Sequence, residues 1–219
     1  MDDATNAKRY FGGVAALVSA GLVLQLLLSV TATGGAFGTP QGRIVNFFCF
    51  FTVQSNVAVA VTHAMLAADP LRASTAFRVM RLVAMLCILV TGIVFHLALA
   101  DLQELTGWDL VADTILHTLS PLLVVIGWLV FGPRGALDGR VVRLAALPPV
   151  AWLGFALVRG SFVQDVNGND YYAYPFMNVQ VHGYAVALFR CALVAALFLG
   201  MAYAALLADR RLPGIRSET

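Results

Sequence analysis

Ile44-Val45-Asn46-Phe47-Phe48-Cys49-Phe50-Phe51-Thr52-Val53-Gln54-Ser55-Asn56-Val57-Ala58-Val59-Ala60-Val61 reads as a hydrocarbon-soluble helix with a polar interruption at its centre. Four of the five residues from Thr52 to Asn56 are polar. Such groups are costly in hydrocarbon unless they find partners, so they belong on the inner face of a helix bundle. At 3.6 residues per turn, Thr52, Ser55, Asn56, Val59 and His63 share one face, and Gln54 points away from it.

The rest of the chain agrees with a membrane setting. Apolar residues make up 60% and charged ones only 12% of the 219 residues, far from the balance of a soluble domain. A span needs about 20 apolar residues, and six stretches supply them: 11–30, 45–67, 82–99, 110–131, 141–158 and 181–208. The expected fold is all-α, a single domain over 1–219 with six transmembrane helices. The first stretch is expected to be a retained helix, because it is too long for a signal peptide. Proline and glycine mark the turns at Gly34-Gly35, Asp69-Pro70, Gly132-Pro133 and Pro213-Gly214. Pro148-Pro149 interrupts the fifth span.

Basic residues set the orientation. Lys8, Arg9, Arg72, Arg78, Arg81, Arg134, Arg140, Arg143, Arg210, Arg211 and Arg216 fall on one side, which is eleven of the fourteen; only Arg43 and Arg159 fall on the other. Both termini are therefore expected in the cytoplasm. This asymmetry accounts for the net charge of +2, so no nucleic-acid partner is expected. Cys49, Cys87 and Cys191 lie within spans and behave as small apolar residues rather than a disulfide framework.

The fourth span offers the polar stripe a partner. Asp113, His117 and Ser120 recur on one face, and Pro121 removes the hydrogen bond to the carbonyl of His117. Thr52 and His117 both fall about seven residues below the outer ends of their spans, roughly 10 Å deep, so they can meet. Asp113 then stands where it can orient the imidazole. Interhelical hydrogen bonding alone is the structural alternative for Ser55 and Asn56. Arg190 is a lone intramembrane cation, and His96 and His182 lie near the outer interface. The long segment from Gly160 to Gln180 carries Tyr171, Tyr172, Tyr174 and Phe176, either as interface anchors or as a loop folded over a cavity mouth.

Phe51-Thr52, His117-Thr118 with Pro121, and Tyr174-Pro175-Phe176 occur in an order that resembles the androgen-induced and TFPI-regulating membrane proteins. Those are six-helix hydrolases of fatty acid esters of hydroxy fatty acids. Phe-Thr-x-x-Ser-Asn and Tyr-Pro-Phe-x-Asn are closer still to bacterial six-span proteins grouped with them. The His-to-Pro spacing differs by one residue from the animal proteins. The resemblance implies a lipid-ester hydrolase in the bacterial plasma membrane, with its site in the outer half and no cofactor or metal. Thr52 would be the nucleophile and His117 the base, with Asp113, Ser55 and Asn56 in support. Beyond the resemblance, in which Arg190 has no counterpart, side-chain chemistry makes Arg190, His96, His182, Tyr174 and Phe176 the expected substrate contacts and Ser55 or Asn56 the expected oxyanion donor. Three other readings remain: a haem protein using outer histidines, a transport or structural membrane protein, and a metal site built from His96, His117, His182 and Asp113, which has no ligand-spacing signature.

Overall fold

The computed structural model describes residues 3–102, 104–132, 135 and 137–212. Pro133, Arg134, Pro213, Gly214 and Arg216 lie outside the described residues. The chain is all-α, and β structure among the described residues is confined to one bridge between Gln164 and Asp170. The helices are α1 (Asp3–Thr31), α2 (Pro40–Cys49), α3 (Phe51–Ala68), α4 (Thr75–Ala98), α5 (Gly107–Asp113), α6 (Ser120–Phe131), α7 (Gly139–Ala145), α8 (Leu147–Gly160) and α9 (Val179–Arg211). A wider turn, Thr114–Leu119, joins α5 to α6.

Six helical stretches are long and apolar enough to cross a membrane: α1, α3, α4, Gly107–Phe131, Gly139–Gly160 and α9. The polar interruption makes α3 the least hydropathic of them. Large apolar side chains such as Leu27, Leu129, Phe189 and Tyr203 face outward, as they do where the surroundings are lipid. Local chemistry sets the helix starts. Thr39, Ser74, Asp138 and Asn178 each accept an amide proton from the first turn that follows them.

Interior packing follows narrow seams. Ala7, Phe11, Val14, Val18 and Gly21, spaced alternately four and three residues apart, form the buried line of α1, with Ala15 buried beside them. A second seam joins α4 to Val59 of α3, Val124 of α6 and Phe198 of α9. In a lipid setting such contacts hold by close packing rather than by a hydrophobic drive between helices.

Four spans depart from plain helices. The second does not run unbroken from Val45. It stops at Phe50 (φ −69°, ψ 137°) and restarts at Phe51, so Thr52 sits in the first turn of α3 rather than two turns inside a continuous helix. The fourth widens before Pro121, where Ser120 N–H reaches back to Ile115 O, five residues away. The fifth bends at Ala146, ahead of Pro148 and Pro149. The last has Gly183 at φ 74°, ψ 158° near its start, a conformation open to glycine and strained for other residues.

Candidate active site

The break at Phe50 frees backbone groups that an unbroken helix would pair, and side chains take them up. Phe48 O would have accepted from Thr52 N–H; it accepts from Gln54 Nε2 at 3.1 Å instead. Thr52 N–H donates to the Tyr174 hydroxyl oxygen at 3.3 Å. Cys49 O accepts from Trp152 Nε1 at 3.1 Å. Orphaned backbone groups cost enough in a buried setting that these partners are what makes the break tenable. Gln54, which points away from the polar face, stabilises the break that positions Thr52.

Thr52 Oγ1 lies 3.3 Å from His117 Nε2, at the long end of the range, as is usual in sites without substrate. His117 Nδ1 lies 2.8 Å from Asp113 Oδ1, with side-chain exposures of 17% and 14%. This is an ion-pair distance with the oxygen off the ideal N–H direction. A carboxylate there favours the proton on Nδ1 and leaves Nε2 to accept from Thr52. Phe95 stacks on the imidazole with ring centroids 4.0 Å apart and planes 15° from parallel. Gly92 lets the helices approach: a Cβ there would meet Pro121 Cγ at 2.8 Å and His117 O at 3.1 Å.

Thr52, His117, Tyr174 and Phe176 open onto a cavity of ≈ 180 Å³. Its remaining walls are almost wholly apolar, from Val90, Val94 and Phe95 on α4, Pro149, Trp152 and Leu153 on α8, and Cys191, Val194, Ala195 and Phe198 on α9. The i, i+3, i+4, i+7 spacing of that last group marks one helix face.

Ser55 and Asn56 are buried behind Thr52, and their donors are already used. Ser55 donates to Phe51 O at 2.7 Å and accepts from Thr91 at 3.4 Å. Asn56 Nδ2 bridges Thr52 O at 2.9 Å and Leu116 O at 3.2 Å. Ser55 ties α3 to α4 and Asn56 ties it to the fourth span; neither keeps a proton for an oxyanion.

The remaining expected substrate contacts are elsewhere. Arg190 is half-buried and does not line the cavity, because it sits roughly a quarter-turn round α9 from the lining face. His96 is exposed and pairs with Thr118 Oγ1 at 3.0 Å. His182 lies in the short turn before Gly183, also off the cavity. His63 is buried near the other end of α3, its Nδ1 2.9 Å from Val59 O. Both ring nitrogens of His117 face protein groups, and among the described residues no three His, Cys, Asp or Glu side chains converge as metal ligands do.

The segment between the last two spans folds back over the cavity. Asp165 organises its first half, accepting from Asn167 and Asn169 amides at 2.8 and 2.9 Å. The Asn169 and Asn167 bonds hold that carboxyl below the usual carboxylate range. Val166 N–H donates to Ala36 O at 2.9 Å, tying the segment to the loop before α2. Arg159 and Tyr171 both bond Asn46 at 3.1 Å. Tyr172 is 8% exposed and packs with Val179 and Ala187. Tyr171, Tyr172 and Tyr174 thus all contact other parts of the protein, because the loop is bonded down at both ends. Trp152, Phe95 and Gly92 complete the site, and no local pattern marks any of them out.

No family model matches the chain, and comparison with curated proteins and with solved structures returned no match.

Proposed function

We propose that this protein hydrolyses a lipid ester within the membrane through an acyl-threonine intermediate. The observation that carries the reading is the line Thr52–His117–Asp113, with contacts of 3.3 and 2.8 Å, at an apolar cavity. Threonine is a weak nucleophile unless an adjacent base takes its proton, and neutral imidazole serves near pH 7. Thr52 Oγ1 attacks the ester carbonyl while its proton passes to His117 Nε2. The tetrahedral intermediate collapses, the bond to the alkoxide breaks, and His117 returns the proton to that oxygen. Water, deprotonated by the same nitrogen, then releases the acid and restores Thr52.

The substrate we assign is a fatty acid ester of a hydroxy fatty acid or a close chemical relative. The apolar cavity walls suit an acyl chain, and the Phe-Thr, His-Thr and Tyr-Pro-Phe motifs support that class. The eleven-to-two partition of basic residues supports cytoplasmic termini and a site in the outer half of a bacterial plasma membrane.

The test is turnover of such an ester by purified protein, compared with Thr52→Ala and His117→Ala. Thr52→Ala should abolish hydrolysis, and His117→Ala should lower it by roughly 10²–10⁴-fold. A fluorophosphonate should label the wild type and not Thr52→Ala. Equal turnover by all three proteins eliminates the proposal.

A further inference from the structure

Acyl transfer places negative charge on the former carbonyl oxygen, and the donor that meets this charge is commonly the largest single contribution to catalysis. Ser55 and Asn56 have no proton to give. Tyr174 faces Thr52 instead. Its hydroxyl oxygen lies 3.4 Å from Thr52 Oγ1 and accepts the Thr52 amide proton at 3.3 Å. With that acceptor role taken by the amide, the phenol proton is free to point toward Oγ1 and the cavity.

We propose that Tyr174 is a catalytic residue, donating a hydrogen bond from its phenol to the oxyanion formed when Thr52 attacks an ester. The proposal rests on the threonine-hydrolase reading. In the tetrahedral intermediate the oxyanion and Oγ1 hang from one carbon. A donor 3.4 Å from Oγ1 is near enough for an oxyanion turned toward it to come within about 2.7–3.1 Å, the distance such donors need. The proton stays on the phenol throughout; only the hydrogen bond strengthens as charge develops.

Three features prepare the group for this. The ring is fixed by Phe50 (6.0 Å), Trp152 (5.9 Å) and Phe176, which stacks on it at 5.6 Å. The amide it accepts belongs to the first turn of α3, where the helix dipole is positive, so the O–H is polarised toward donation. Burial raises the phenol above its ordinary range, keeping the proton in place at neutral pH. The break at Phe50 thus exposes the amide that orients the donor and places the nucleophile beside it.

Two measurements on the purified full chain test this. Tyr174→Phe should lower kcat by roughly 10²–10³-fold with KM changed by less than about threefold. Difluorotyrosine incorporated at position 174 keeps the ring shape with a more acidic phenol, so the alkaline limb of kcat should fall by more than about one pH unit. Retention of kcat within threefold by Tyr174→Phe, or an alkaline limb that does not move, overturns the assignment. Thr52→Ala, assayed alongside, separates the two failures. If it is dead while Tyr174→Phe is active, the hydrolase reading stands and this inference falls. If it is active, both fall.

Discussion

Among the described residues, two threonine–histidine pairs join separate helical spans with similar geometry, apart from the chain neighbours Thr62 and His63, which lie 3.5 Å apart within α3. Thr52 and His117 are 3.3 Å apart, and Thr118 and His96 are 3.0 Å apart. By distance alone the second is the better hydrogen bond. Its surroundings differ otherwise, although Phe95 touches both imidazoles, stacked on His117 at 4.0 Å and edge-on to His96 at 5.1 Å. His96 is exposed, lies off the cavity and has no carboxylate partner among the described residues, whereas His117 is backed by Asp113 and covered by the face of Phe95. Thr52 also stands at a helix start, with a phenol on its own amide. A threonine and a histidine in contact are common currency in a bundle. An orienting acid, a cavity and a nearby donor are what make one pair a candidate for chemistry.

The largest expected break in this comparison comes from removing what only the first pair has. Asp113→Asn should cost roughly 10²–10⁴-fold in ester turnover, because the imidazole loses the group that fixes its tautomer and stabilises the imidazolium; loss below threefold would reduce Asp113 to a helix-packing role. Next is Gly92→Ala, whose methyl group would press on Pro121 and on the carbonyl of His117. Overpacking of this kind costs about 1–3 kcal/mol, so thermal stability and turnover should both drop. Gly200→Ala, which meets open space, should leave both unchanged.

Thr118→Ala and His96→Ala probe the second pair. Turnover should stay within about threefold of wild type, the scale of an exposed contact; abolition by either would make the two pairs equivalent. The smallest effect concerns the loop that delivers Tyr174 to only one pair. Asp165 has a folded-state pKa lowered by the Asn169 and Asn167 bonds. Its contribution to the turn is complete above the ordinary value of about 3.9 and is lost as pH falls through the lowered one. The amide shifts of Asn167 and Asn169 should therefore hold steady down to about that pH and move together below it.

Much of this was legible in the residues. Apolar stretches of sufficient length announce six helices whatever their neighbours. Periodicity placed Ser55, Asn56 and His63 inside and Gln54 outside, and spacing put Asp113 one turn from His117. The four-residue offset to Pro121 pointed to disturbed hydrogen bonding at His117. The oxyanion assignment to Ser55 or Asn56 failed because a donor's availability depends on which carbonyls lie nearby. Leu116, 60 positions from Asn56, is invisible to helical phase. Arg190 looked functional because an intramembrane cation is expensive, but expense does not fix the face of the helix it occupies.

Sequence alone determined the class of environment, the number of spans and the polar faces, because hydropathy and helical period are local properties. Tertiary structure alone decided that the second span breaks at Phe50. Nothing in Cys49-Phe50-Phe51 forbids a continuous helix. The break holds because Trp152 and Tyr174, more than 100 residues away, satisfy the backbone groups it frees, with Gln54 supplying the third partner. The same contact that makes the break tenable sets a phenol beside Thr52.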